Sequence, residues 1–432
     1  MDSKEKCMEN VKYIHNGKCK SFNPTLIGLE QISKELPLEN KPVSNTFNYM
    51  YYKFGSGIYA EIRGNKLVKY FPFINDNFIN EFSKLIKTND ICKYYRDKGI
   101  KSKFCLKRLL KDKRRWKANN CLIKVIYDPI IGESHTTEFR DMLEKTLKHE
   151  KIRDIQFFVN RKDFPILTKN GTEPYHHIYG ENFPLISHNY SEYAPIVGFT
   201  NRLDLYRDIM LPTYDCWQAI TKKFYPPECR NHYIFSDKEI PWKDKIETAM
   251  FRGKATGCYV DFKNPRLLIT KINEEWNREG CQYKGWIDAG ISSSAMKDKK
   301  TKDSEELTHI DLKKLGIKPL ERIDMDDQRK YKYIFDIEGN SAAFRLLATL
   351  SFKSVILKVE SEYKMWIDEF LIPYEHYIPV KKDFSDLAQI LDWCHKHDKA
   401  CERISKNAYK LYKKIGNEKF VYKFISEKLN EA

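Results

Sequence analysis

The sequence predicts an α/β protein built from two doubly wound domains. Three observations carry this. The chain has 432 residues, too many for one ordinary core and enough for two domains. A strand-helix-strand pattern runs through residues 121–159, and a second runs through residues 331–359. Apolar residues make up 41% of the chain and aromatic residues 14%, enough to fill packed cores, which excludes a globally disordered chain.

Residues 1–100 carry no clear periodicity and read as an N-terminal extension; the aromatic run Asn48-Tyr49-Met50-Tyr51-Tyr52 shows no defined face. Residues 101–117 hold nine basic side chains interleaved with Leu106, Leu109 and Leu110. This is the pattern of an amphipathic helix with a solvated basic face, or of a surface for an anionic acceptor or membrane. Cys121 to Tyr127 reads as a buried strand. Phe139, Met142, Leu143 and Leu147 recur at helical spacing, and Ile155 to Val159 is a second strand. Strand, helix and strand in this order predict a parallel βαβ unit.

The pattern returns with a β-prone run from Tyr331 to Ile337, helix formers from Ala342 to Phe352, and a strand over Ser354 to Val359. Leu387, Ile390, Leu391 and Cys394 share one helical stripe, with Asp383 or Ser385 as the N-cap. Phe420, Val421, Phe424 and Leu429 mark a last helix, and residues 293–303 read as an exposed loop. Tyr225-Pro226-Pro227 and Ile240-Pro241 interrupt the periodicity. The first domain is therefore set at 101–230, the second at 231–410 and a closing helix at 411–432.

A formal net charge of +16 favours anionic partners such as nucleotides, nucleic acids or membranes. Lysines spread along the whole chain equally fit a composition bias. No apolar core follows Met1-Asp2-Ser3-Lys4, no run approaches the length of a membrane span, and Lys428 to Ala432 carries no retention signal. The expectation is a cytoplasmic or intracellular protein. Its 11 cysteines, without a C-x-x-C pair, read as reduced thiols, and the sequons at Asn170 and Asn189 as chance matches.

Three stretches have the residues for chemistry. In Glu338-Gly339-Asn340-Ser341, between strand and helix, glycine allows a tight turn and close ligand approach. The unpaired N–H groups at Ser341, Ala342 and Ala343 would open the helix, with Arg345 in its first turn, which suits a diphosphate. An ordinary strand-helix connection is the alternative. In Phe251-Arg252-Gly253-Lys254-Ala255-Thr256-Gly257, two glycines, two cations and a hydroxyl suit a phosphate or sugar pocket, or a plain turn. Asn160-Arg161-Lys162-Asp163-Phe164-Pro165 follows a strand end, where ligand crevices of open sheets lie. There Asp163 could accept a proton or merely cap the chain. Asp324-Met325-Asp326 is too short to specify a metal site, and His176-His177 has no companion cluster.

These stretches, in this order, resemble glycosyltransferase family 90, which holds protein O-glucosyltransferases and capsule-associated proteins. The resemblance runs from about residue 120 to the end. It includes Arg322-Ile323-Asp324, Tyr331 through Gly339, Ser341-Ala342-Ala343-Phe344-Arg345, His376-Tyr377-Ile378-Pro379-Val380, Tyr206-Arg207-Asp208 with Trp217, and Phe251-Arg252-Gly253. Asn160 to Pro165 is similar to the family's Asn-x-Arg-Asp-Tyr-Pro turn, with Lys162 and Phe164 as departures.

The resemblance implies a GT-B-like fold of two Rossmann-like domains facing across a cleft, a UDP-glucose or UDP-xylose donor, inversion, and no metal or other cofactor. It implies Asp163 as base and Arg345 on the diphosphate. Gly339, Ser341, Ala342, Ala343, Arg252, Gly253, Lys254, Thr256 and Ile323 would lie on the donor side, with Asp208 and Trp217 acceptor-side or structural. Family members often carry Ser-Arg soon after Phe-Arg-Gly, that arginine also holding the diphosphate; here Lys254-Ala255 follow, leaving Lys254 as the candidate substitute. The acceptor would be a glycan or a protein serine, and nucleic acid is not the expected partner. The rival reading is a basic module that binds an anionic polymer or nucleic acid on an inactive transferase fold.

Overall fold

The structure is a computed structural model that describes residues 12–15, 18–21, 36–54, 56–74, 135–169, 190–222, 239–257, 259–294, 299–300, 307–308 and 310–432. The basic block at 101–117, the strand expected at 121–127, His176-His177, Asn170, Asn189 and Tyr225-Pro226-Pro227 lie outside the described residues.

In chain order, a short antiparallel pair, β1 (Lys12–His15) and β2 (Lys18–Ser21), precedes α1 (Lys41–Phe54), β3 (Ser56–Arg63) and β4 (Lys66–Ile74). Then come α2 (His135–His149), β5 (Ile155–Val159), β6 (Ile196–Gly198), β7 (Ile209–Met210) and α3 (Tyr214–Thr221). The second half holds β8 (Ile246–Ala255), α4 (Pro265–Trp276), β9 (Ile287–Ser294), β10 (Lys299–Lys300), β11 (Leu307–Thr308), α5 (Met325–Gln328) and β12 (Tyr331–Asp336). It closes with α6 (Leu346–Leu350), β13 (Val355–Val359), β14 (Ile378–Val380), α7 (Leu387–Lys396), α8 (Asp398–Ile415) and α9 (Glu418–Glu431).

Two five-stranded sheets organise these elements, in the orders β4-β3-β5-β6-β7 and β14-β13-β12-β8-β9. Every pairing in the second sheet is parallel. Tyr333, Phe335 and Ile337 enter the main core of this domain, while Ile334 packs on the other face with Ala348 and Phe352. Burial on both faces is what a parallel sheet under helices requires, and it produces near-continuous apolar runs.

The first sheet is mixed, which corrects the expectation of an all-parallel unit. Among the described residues, β5 lies between β3, antiparallel, and β6, parallel. The segment from 36 to 74 is thus part of the first domain and not an appendage. β3 and β4 form a hairpin whose two turn residues, Gly64 and Asn65, have φ of 53° and 58°, the left-handed pair of a type I′ turn. In α1, Tyr49, Met50 and Tyr51 are all buried, so the aromatic run does have a packed environment. Met50 Cε lies where a Cβ on Gly57 would reach 2.5 Å from it, so helix and strand meet closely because residue 57 lacks a side chain.

Three further expectations are corrected. The helix expected over Ala342–Phe352 is confined to Leu346–Leu350, and 339–345 is non-helical. The loop expected at 293–303 instead contains the end of β9, and Lys299–Lys300 pairs with Leu307–Thr308. Asp386, not Asp383 or Ser385, is the residue before α7; Asp383 Oδ1 accepts from Ser385 N.

The two sheets share a core. One cluster joins Ile58, Phe157 and Trp217 from the first domain to Leu346, Leu350, Trp366 and Ile425 from the second half of the chain. α9 returns to pack on α2, with Asn430 Oδ1 accepting from Arg153 N and Ser426 Oγ donating to Lys151 O. The boundary set at 411 falls inside α8. Asn201 and Lys364 exchange two backbone hydrogen bonds of 2.9 and 2.7 Å, and Arg202 reaches Glu362 at 3.1 Å. Among the described residues no helix is long and apolar enough to cross a membrane.

Candidate active site

The strand order of the second sheet defines where a ligand should sit. Counting its strands along the chain, β9-β8-β12-β13-β14 is the order 2-1-3-4-5. In such sheets the connections from the first and third strands leave to opposite sides, opening a crevice at their carboxyl ends. That switch point lies between β8, which ends in Arg252-Gly253-Lys254-Ala255, and β12, which runs into Glu338-Gly339. Two stretches singled out by sequence, 83 residues apart at Gly257 and Asn340, are joined there: Gly257 N donates to Asn340 Oδ1 at 3.1 Å.

Arg266, which the sequence reading did not single out, spans the crevice. From the start of α4 its guanidinium donates to Lys254 O (3.0 Å) and Thr256 Oγ1 (2.6 Å) on one side. On the other it reaches Ile337 O (2.9 Å) and Glu338 O (2.8 Å). The local reason is the cap: Asn264 Oδ1 accepts from Arg266 N, and Asn264 Nδ2 holds Thr256 O and Tyr259 O. Gly339 has to be glycine here, since a Cβ would stand 2.6 Å from Thr256 Oγ1 and 3.2 Å from Arg266 Nη2.

Arg345 approaches the same place. Its Nη1 donates to Arg252 O at 3.0 Å and its Nη2 to Phe335 O at 3.3 Å. Both Arg345 and Arg266 place their guanidinium carbons over the Phe251 ring, at 5.0 and 5.6 Å from its centroid. Lys254 is exposed and forms no ion pair among the described residues. Arg252 is oriented differently: its Nη2 pairs with Asp288 at 2.6 Å, and its other donors meet Phe251 O, Asp288 O and Glu321 O. It therefore ties β8 to β9 and to the 321–323 segment, where Ile323 is half-buried and its carbonyl accepts from Gln328.

The residues expected to present helix N–H groups do something else. Ser341 is buried, and its hydroxyl donates to Asp163 O at 2.7 Å, while Gly339 N donates back to Ser341 O. Ala342 and Ala343 continue the bend. Thus the strand-end turn of the first domain rests directly on the switch-point segment of the second. Thr200 Oγ1 also donates to Asp163 O, at 2.8 Å. The Asp163 side chain is exposed, and no hydrogen bond or ion pair involves its carboxylate among the described residues.

Asp208 shapes that turn from below. It is buried, and its carboxylate accepts from Ile166 N and Leu167 N at 2.7–3.1 Å, just beyond Pro165. Asn160 closes the other side, donating to Phe164 O and accepting from Lys162 N. Burial pushes the Asp208 carboxyl up to about 7, against the pull of the Ile166 and Leu167 N–H groups. A carboxyl raised in the fold contributes stability at low pH that is lost as pH rises through the folded value. The stability of the wild type relative to Asp208→Asn should therefore fall between pH 4 and pH 7, by about 1.4 kcal/mol per pH unit at most. Urea unfolding of both proteins across that range measures it, and a flat difference curve refutes it. Trp217 is wholly buried, with Nε1 donating to Asp141 Oδ2 and Lys145 over its ring. Both side chains, of Asp208 and Trp217, are buried and hydrogen-bonded within the first domain.

Asp324 pairs with Arg322 at 3.4 Å and Asp326 with Arg329 at 3.2 Å. Among the described residues no three His, Cys, Asp or Glu side chains converge as a metal site would need, and Cys216, Cys281, Cys394 and Cys401 are free thiols.

Fold and crevice define a two-domain α/β protein whose switch point faces an aspartate-bearing turn of its other domain. Residues 127–431 match the model of Glycosyl transferase family 90, and the chain belongs to that family. Protein 035R of Invertebrate iridescent virus 3 is 32% identical over 409 residues, covering 90% of this chain and 36% of that protein. Human protein O-glucosyltransferase 3 is 27% identical over 253 residues, covering 59% of this chain and 41% of that protein. The chain thus spans about a third of the length of the viral relative it matches. The crystal structure of Anabaena Alr3699/HepE in complex with UDP-glucose is 11% identical, with a TM-score of 0.29 over 44% of this chain and 50% of that one, a likeness too slight to bear on activity.

Proposed function

We propose that this chain transfers a glucosyl or xylosyl group from a UDP-sugar to the hydroxyl of a protein serine or a glycan, with inversion and without a metal. The observation that carries the reading is the hydrogen bond from Ser341 to Asp163 O, which sets an unpaired carboxylate beside the switch-point crevice. In the proposed reaction the acceptor oxygen attacks the anomeric carbon from the face opposite the diphosphate. Asp163 takes the hydroxyl proton, and the bond to UDP breaks. Arg345, with Lys254 at the crevice mouth, stabilises the negative charge that grows on the leaving diphosphate. Arg266 and Gly339 hold the crevice in shape. The names of the human and bovine relatives, protein O-glucosyltransferases 3 and 1, favour a glucosyl donor.

The test is UDP release from UDP-glucose and UDP-xylose in the presence of serine peptides or oligosaccharides. Arg345→Ala should weaken UDP binding by roughly ten- to a hundred-fold, the range for a lost hydrogen-bonded charge, and transfer should persist in chelator. Absence of UDP binding in the wild type would sink the proposal, and loss of activity on chelation would remove its metal-independent part.

A further inference from the structure

We propose that the outer face of α8 is a docking surface for an anionic lipid membrane, holding the second domain by the end of its sheet remote from the crevice. The inference goes beyond the transferase reading and does not depend on it.

The two faces of α8 are apolar and cationic. Cys401, Ile404, Ser405, Ala408, Leu411 and Ile415 are buried against the fold. Lys399, Arg403, Lys406, Lys410, Lys413 and Lys414 are all exposed. At about 100° of rotation per residue, these six basic side chains gather into an arc of about 100°, nearly opposite the buried set. No acidic residue falls in that arc. Glu402, at its edge, pairs with Lys406 at 2.7 Å, and Asp398 is turned inward to Lys332 Nζ at 2.7 Å and Trp242 Nε1 at 3.0 Å. Among the described residues, none of Lys399, Arg403, Lys410, Lys413 and Lys414 forms an ion pair. From Lys399 to Lys413 the stripe runs about 20 Å. Like charges at this spacing destabilise a helix, so the stripe works against the helix that carries it and fits an anionic partner.

The anchors of α8 place this stripe. Lys332 and Trp242, which hold Asp398, stand at the amino ends of β12 and β8. Lys353, just before β13, lies over the Tyr409 ring at 4.5 Å. These strands run parallel, so all three anchors tie α8 to the amino ends of the sheet. The crevice opens at the carboxyl ends. A surface bound along α8 therefore leaves the crevice facing solution.

A nucleic acid would use ring faces free to stack on bases, or a groove-reading helix end. The Tyr409 ring is instead taken by Lys353 and by Lys413, at 4.5 and 5.4 Å. What remains is charge spread along a convex helix. That suits a fluid lipid surface, whose headgroups move to meet each cation. Trp393, 37% exposed just before α8 and stacked on His397, is the kind of amphipathic ring that settles at headgroup level.

Co-sedimentation of the whole chain with vesicles tests this, comparing phosphatidylcholine alone with phosphatidylcholine mixed with phosphatidylserine. Binding is expected to the mixed vesicles only, and to weaken as salt rises. The variant K399Q/R403Q/K410Q/K413Q should bind at least roughly a hundred-fold more weakly, each cation near such a surface being worth about five-fold. The control K271Q/K284Q/K313Q/K314Q removes the same charge from exposed positions elsewhere and should bind like the wild type. Equal loss in both variants would show that net charge alone acts, and no loss in the first would place the contact elsewhere; either overturns the proposal. So does equal binding to both kinds of vesicle, or binding to duplex DNA without binding to vesicles. Should the α8 variant fail to fold, lysine acetylation of the wild type decides. Mixed vesicles must shield Lys399, Lys410 and Lys413 and spare Lys313 and Lys314, and an unshielded stripe overturns the docking face.

Discussion

Replacing Asp163 by asparagine is expected to cut transfer by about 10²–10⁴-fold, the usual contribution of a positioned general base, while leaving UDP affinity and thermal stability close to those of the wild type. The backbone and the side chain of this residue are engaged separately. Its backbone carbonyl accepts from Ser341 and Thr200 and so fixes the turn against the crevice; any residue at 163 supplies that carbonyl. Its carboxylate is exposed and takes no part in holding the fold. Asparagine keeps the size and the carbonyl and removes only the ability to take up a proton. Parallel measurement of turnover, UDP titration and melting temperature distinguishes this from a disturbed turn. Turnover near the wild-type value would exclude Asp163 as the base, and weakened UDP binding would mean that the side chain also shapes the donor site.

The second domain was largely legible in the sequence because its strands are buried on both faces. Ile155 to Val159 in the first domain and Tyr331 to Ile337 and Ser354 to Val359 in the second stand out as apolar runs for that reason, and each contains a strand in the structure. The stripe of Leu387, Leu391 and Cys394 is likewise the buried face of α7. The N-terminal part is the least legible, although it carries one signal. Gly64-Asn65, set between Ile58-Tyr59-Ala60-Glu61-Ile62 and Leu67-Val68, is a two-residue hairpin signature. The alternation around it is blurred because β3 also has a core on each side, Ile58 and Ile62 facing one cluster and Tyr59 another.

The segment after Gly339 illustrates a different limit. Ala342, Ala343 and Leu346 are good helix formers, and propensity alone starts a helix there. In the fold the Ser341 hydroxyl is drawn to a carbonyl of the other domain, and Gly339 N bonds back to Ser341 O, so the bend persists until Arg345. A partner 178 residues away in sequence decides the local conformation. A helix of five residues offers little of the dipole and few of the N–H groups first expected to hold an anion. The candidate anion site therefore rests on guanidinium and ammonium groups.

Arg266 is invisible to sequence patterns for the same reason, since its four acceptors lie at or just past the ends of β8 and β12 and none is a local neighbour. Its removal is the second large effect expected. Arg266→Ala leaves Ile337 O, Glu338 O and Lys254 O without their charged donor, and Thr256 Oγ1 with them. Hydrogen bonds from a charged group contribute about 1.5–3 kcal/mol each where desolvated. Water can replace part of this at a half-buried site, so a net loss of about 2–4 kcal/mol is expected. Lysine should not restore it, because a single ammonium cannot reach carbonyls on both sides of the crevice as the planar fork does. Comparing denaturant midpoints for the alanine and lysine variants measures the stability term, and UDP titration of the lysine variant measures the crevice. A lysine variant as stable as the wild type would show that charge alone is needed. An alanine variant of wild-type stability would show that β8 and β12 hold the switch point open without a cross-brace.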